Sequence, residues 1–98
     1  MSKIETILLG NGTIITKTYN SLGQLHSNDS PAIKTPFTEE WYRDGLKHRT
    51  NGYAIFINKP DYIRMEWWKD GKLHRDNNKP AIIDSDGNIE YWNEGNKL

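Results

Sequence analysis

Apolar and polar residues alternate in short runs along this chain, and no run sustains a helical period over the ten or more residues a helix needs. The runs are rich in Ile, Thr, Tyr, Trp and Phe, side chains that suit a pleated surface. They predict strands near residues 3–9, 13–20, 32–35, 38–43, 53–57, 62–69, 80–84 and 88–93. Turn signals fall between them at Asn11-Gly12, Leu22-Gly23, Asp44-Gly45, Asp70-Gly71, Asp86-Gly87 and Glu94-Gly95. An Asp-Gly pair between strands is a strong hairpin signal, because both positions tolerate a left-handed backbone. The expectation is an all-β chain of tandem antiparallel hairpins.

The turns belong to a repeat. Trp68-Lys69-Asp70-Gly71-Lys72-Leu73-His74-Arg75 is echoed by Tyr42-Arg43-Asp44-Gly45-Leu46-Lys47-His48-Arg49 and, more weakly, by Asn20-Ser21-Leu22-Gly23-Gln24-Leu25-His26-Ser27. A shorter copy runs from Trp92 to Leu98. After each His comes a polar stretch and then Pro31-Ala32-Ile33, Tyr53-Ala54-Ile55 or Pro80-Ala81-Ile82. The period of roughly 22 to 27 residues is that of small solenoid units, in which each unit packs only on its neighbours.

In these residues the chain resembles the MORN-like repeat variant family, whose unit reads as an aromatic, a turn with Gly, Leu-His-Arg, a polar loop and Pro-Ala-Ile. Trp67 through Ile83 is the best copy, and the resemblance extends over residues 13 to 98. It departs from the pattern where Tyr53 takes the Pro position and where the first copy lacks the turn Asp and the Arg. Proteins similar to this occur in phages, large DNA viruses and bacterial toxin-immunity loci. The resemblance implies stacked hairpins in one elongated, twisted repeat sheet and a binding role, and no reaction. The expected organisation is a single repeat domain over residues 1–98, with the full-strength repeat at 63–88.

Counted back from each turn glycine, the fourth positions are Tyr19, Trp41, Trp67 and Tyr91, and the third are Asn20, Tyr42, Trp68 and Trp92. Adjacent strand residues face opposite ways, so these form ladders on opposite faces. The first, aromatic in every copy, is expected to pack as scaffold. The second, with Glu40, Glu66 and Glu90 two residues earlier, is expected to bind a partner: Tyr42, Trp68 and Trp92 as anchors and the carboxylates as a complement to a basic surface. Glycosidase-like catalysis needs one carboxyl set apart from another by its environment, and repetition argues against that.

His26, His48 and His74 each stand third after a turn glycine. Equivalent positions in successive repeats are too far apart to converge on one metal ion, so each ring is expected to hydrogen-bond a loop backbone. His48-Arg49 and His74-Arg75 also suit an anion, which with the aromatic rings makes a nucleotide the alternative ligand. No Gly-rich phosphate loop or nucleophile elbow accompanies them. No metal, cofactor or catalytic group is expected.

Composition narrows the function further. Thirteen basic residues balance thirteen acidic ones, for a formal net charge of +0, so bulk attraction to nucleic acid or an anionic membrane is not expected. Cysteine is absent, the N-terminus lacks a leader-like layout, and no apolar run is long enough to cross a membrane as a helix. The expected location is cytoplasmic, that of a bacterial host cell for a phage-encoded protein. Thirty-five per cent hydrophobic residues leave little for a second layer, so self-association as a homodimer is expected too. The leading functional expectation is a non-catalytic protein-binding module, an inhibitor or immunity-like protein with a nuclease among its candidate targets. A nucleotide-sequestering sponge is the alternative, and a ligand-free structural repeat the second.

Overall fold

A computed structural model describes residues 3–98; Met1 and Ser2, part of the stretch read for a leader, lie outside it. Every regular element is a strand. The main sheet has eight antiparallel strands: β1 (Lys3–Leu8), β2 (Ile14–Tyr19), β3 (Ile33–Lys34), β4 (Thr38–Glu40), β7 (Ile55–Lys59), β8 (Tyr62–Glu66), β11 (Ile82–Asp84) and β12 (Ile89–Glu90), adjacent in that order. Three tight hairpins continue from it: β5 (Tyr42–Arg43) with β6 (Leu46–Lys47), β9 (Trp68–Lys69) with β10 (Lys72–Leu73), and β13 (Trp92–Asn93) with β14 (Asn96–Lys97). The whole is a slab of 39 × 33 × 18 Å.

Three predicted strands, 38–43, 62–69 and 88–93, each split at Trp41, Trp67 or Tyr91. Their first halves join the main sheet and their second halves turn back on β6, β10 and β14. Those return arms were not predicted as strands, because two residues carry no periodicity. The predicted strand 53–57 lies at Ile55–Lys59 instead, since Tyr53 packs as a side chain of the loop before it.

The hairpin turns follow from their residues. Asp44, Asp70 and Glu94 have φ of 47°, 49° and 47°, and the glycines after them are also positive, so each two-residue turn has the twist of its strands. Between hairpins, Gly71 N–H donates to Lys47 O and Arg49 N–H to Trp68 O. The same pair of bonds joins the hairpins on either side.

Register fixes what each face carries. One row crosses all eight strands as Glu5, Lys17, Ile33, Glu40, Ile55, Glu66, Ile82 and Glu90. The adjacent row, on the opposite face, reads Thr6, Thr16, Lys34, Glu39, Phe56, Met65, Ile83 and Ile89. Within the eight strands the first face holds nine charged residues and the second only Lys34 and Glu39. The first is the carboxylate face of the sheet and the second its apolar face.

On the apolar face a further row runs Trp41, Ala54, Trp67, Ala81 and Tyr91, joined by Trp41 N–H to Ala54 O and Trp67 N–H to Ala81 O. Ala32, Ala54 and Ala81, each the residue just before a strand, are 0% exposed. The Ala-Ile of the repeat thus has two jobs: Ala leaves room for rings on one face, and Ile fills the space between carboxylates on the other.

Candidate functional site

On the carboxylate face the aromatic ladder and the Glu row meet. Tyr42 Oη donates to Glu40 at 3.0 Å, Trp68 Nε1 to Glu66 at 2.8 Å and Trp92 Nε1 to Glu90 at 2.9 Å. Residues two apart on a strand share a face, so each ring lies back along its own strand. Burial and the Glu40 bond push the Tyr42 hydroxyl up to about 12. Glu66 also accepts from Arg64 Nε at 2.6 Å, a bond that holds the guanidinium above its ordinary value, and Arg64 lies 3.5 Å from Asp84. Lys97 lies 3.7 Å from Glu90. The six residues expected to form the site are therefore brought together as three like pairs, one repeat apart and half-buried.

The ladders need one correction. Tyr19 pairs with Leu25, whereas Tyr42 pairs with Lys47 and Trp68 with Leu73, so the first turn is one residue longer than the others. Counting from glycine therefore misplaces Tyr19 by one position. It stands in line with Tyr42, Trp68 and Trp92, and its hydroxyl donates to Glu5 at 2.9 Å. The equivalent of Trp41 and Trp67 is Thr18, whose carbonyl accepts from His26 as theirs accept from His48 and His74. The ladder with a ring in every copy is the one on the carboxylate face. The longer turn, Asn20 to Gln24, was the signal: Asn20 Oδ1 accepts from Leu22 N–H and Gln24 N–H within it.

The histidines hold neighbouring repeats together. His26 Nδ1 accepts from Asp44 N–H, His48 Nδ1 from Asp70 N–H and His74 Nδ1 from Glu94 N–H, each at 3.0 Å. Every acceptor nitrogen therefore lacks a proton, and the donor in each case is the left-handed residue of the next turn. His74 Nε2 meets Asp76 at 2.7 Å, which lowers the Asp76 carboxyl.

The arginines cover the apolar-face rings. Arg49 lies over Trp41 at 3.9 Å and donates to Tyr53 O at 3.2 Å; Arg75 lies over Trp67 at 3.8 Å and donates to Pro80 O at 3.1 Å. Burial lowers the Arg75 guanidinium from its ordinary value. Tyr53 completes the cluster, edge-on to both Trp41 and Trp67 and stacked on Phe56 at 5.1 Å. Grooves of about 300, 410 and 380 Å³ follow this loop edge, one per repeat, with His48, Arg49, His74 and Arg75 among their walls.

What the sequence pattern did not bring out is the bare face of the main sheet. Within the eight strands the exposed large apolar side chains are Ile4, Leu8, Ile14, Ile63 and Ile89, and all stand on the apolar face. Phe37, whose carbonyl accepts from Asn58 N–H, continues that face. Among the described residues, no group of three or more His, Asp or Glu is placed to hold a metal ion, and no helix is long and apolar enough to cross a membrane. In comparisons with known proteins, no family model, curated protein or solved structure matches the chain.

Proposed function

We propose that this protein is a non-catalytic protein-binding module that engages a basic protein surface through Tyr42, Trp68 and Trp92 with Glu40, Glu66 and Glu90. The observation that carries this is the repetition of one ring-to-carboxylate bond in three successive units. Each of the three carboxylates accepts the same ring bond, and a repeated set of this kind has no division into acid and base, which catalysis by a carboxylate pair requires. Rings already fixed by a hydrogen bond lose little side-chain freedom on binding, which favours an aromatic anchor. The resemblance to MORN-like repeat proteins of genetic-conflict settings adds a direction: an inhibitor, phage- or mobile-element-encoded, that covers the substrate surface of an enzyme such as a nuclease.

The nucleotide-sponge alternative draws on His48, Arg49, His74 and Arg75, and it is the weaker one. One face of Trp41 and of Trp67 is already covered by an arginine, and each histidine Nδ1 is already bonded.

The test is affinity capture from lysate, paired with native mass spectrometry of the purified chain. The expected result is a stoichiometric protein that the wild type retains and that Glu40→Gln/Glu66→Gln/Glu90→Gln releases, since Gln still accepts the ring bond but carries no charge. Capture unaffected by the triple change overturns the reading, and a co-purifying nucleotide gives the sponge in its place.

A further inference from the structure

Beyond Arg49 over Trp41 and Arg75 over Trp67, the apolar face of the main sheet has no second layer among the described residues, and an antiparallel sheet ordinarily leaves its polar face, not its apolar one, to water. We propose that a second copy of this chain covers it, giving a two-sheet sandwich with both carboxylate faces outward. This goes beyond the binding function proposed above and stands apart from it, because a different surface is used.

Three observations favour a second copy over a foreign protein. The first is charge. Lys34 and Glu39 are the only charged residues of the strands on this face, and they stand side by side in one row, 3.8 Å apart. A two-fold axis parallel to the strands between β3 and β4 sets each Lys34 against Glu39 of the partner subunit. The face is thus complementary to itself, and the neutral chain carries no net repulsion against its copy. The second is shape. The same axis lays β8 over β1 and β7 over β2, with Ile63 over Leu8 of the partner subunit. Two sheets of identical twist pack aligned at about 10 Å. The third is area. Six overlapping strands about 4.8 Å apart and about five residues long cover roughly 500 Å² in flat projection. Side-chain relief takes this toward the ~800 Å² per partner of a standard stable interface. Ile4, Leu8, Ile14, Phe56, Ile63 and Met65 lie inside the overlap, and Ile89 on β12 lies outside it.

Sedimentation velocity across about 1 to 200 µM reads the outcome directly. The wild type is expected to sediment as a dimer of the 11.4 kDa chain. Ile63→Glu, at an exposed position where the monomer loses no packing layer, is expected to weaken association at least tenfold with unchanged circular dichroism, and Leu8→Glu to do the same. Ile89→Glu is expected to leave the dimer intact. Lys34→Glu and Glu39→Lys are each expected to weaken association, and the two together to restore it. A wild type that stays monomeric over the whole range overturns the proposal, whether or not a foreign protein or lipid vesicles then occupy the face. A dimer that survives both Ile63→Glu and Leu8→Glu also overturns it, since the copies then meet elsewhere. Capture of a basic partner by a monomeric Ile63→Glu variant would leave the function proposed above standing, so the two fail separately.

Discussion

His48 Nδ1 accepts the backbone N–H of Asp70 at 3.0 Å, and Asp70 holds a φ of 49°. An imidazole from one repeat thereby secures a left-handed residue of the next. A left-handed conformation is costly for any residue with a Cβ, least so for Asn and Asp. Glu94, secured in the same way by His74, has no such tolerance. In a repeat protein the junctions between units decide whether the array unfolds as one.

Replacing His48 by Ala is expected to destabilise the fold by about 1–2 kcal/mol, the usual cost of one lost hydrogen bond to a partly covered donor. His48→Asn places an oxygen near the Nδ1 position and is expected to recover most of that loss. Urea unfolding monitored by tryptophan fluorescence measures both. Equal losses for Ala and Asn would mean that the ring's bulk matters and the bond does not.

The same imidazole carries a pH dependence. Burial, helped by Arg43 and Lys69 and opposed by Asp70, holds the His48 imidazole below its ordinary 6.5. The unfolded chain therefore takes up a proton here at higher pH than the folded chain. The His48 contribution is fully present above 6.5 and declines as the pH falls below it. Unfolding midpoints at pH 7.5 and 5.5 should differ more for the wild type than for His48→Asn. A larger difference in the variant would reverse the sign.

Ala54 stands between Trp41 and Trp67 and is 0% exposed. Ala54→Leu forces side-chain bulk into that space and is expected to cost about 1–3 kcal/mol by overpacking, despite the gain in apolar character. Trp41→Ala, which empties the space beside it, is expected to cost roughly 3–5 kcal/mol. Thermal melts of the two variants check the pair; a stabilised Ala54→Leu would show that the rings leave a void.

Glu94→Asn is expected to raise stability by roughly 0.5 kcal/mol, because Asn accepts the left-handed region more readily and the backbone bond to His74 is kept. A fall in the melting temperature would show that the Glu94 side chain contributes something its geometry does not reveal.

Strand content, turn positions and the repeat were legible in the sequence because they are local. Period-two alternation, Asp-Gly pairs and the recurring Leu-His-Arg act within a few residues. The pairing of Trp68 with Glu66 was half legible, since residues two apart on a strand must share a face. Three things were settled only in three dimensions. Tyr19 changed ladders because a turn one residue longer shifts register, and register depends on which residues pair across the hairpin. The histidine bonds join residues 18 to 22 apart in neighbouring units, a relation that sequence spacing suggests but does not aim. The bare apolar face emerged last. Ile4, Leu8 and Ile14 from one end of the chain and Ile63 and Ile89 from the other look like scattered apolar positions until eight strands are laid side by side, when cross-strand register collects them on one surface.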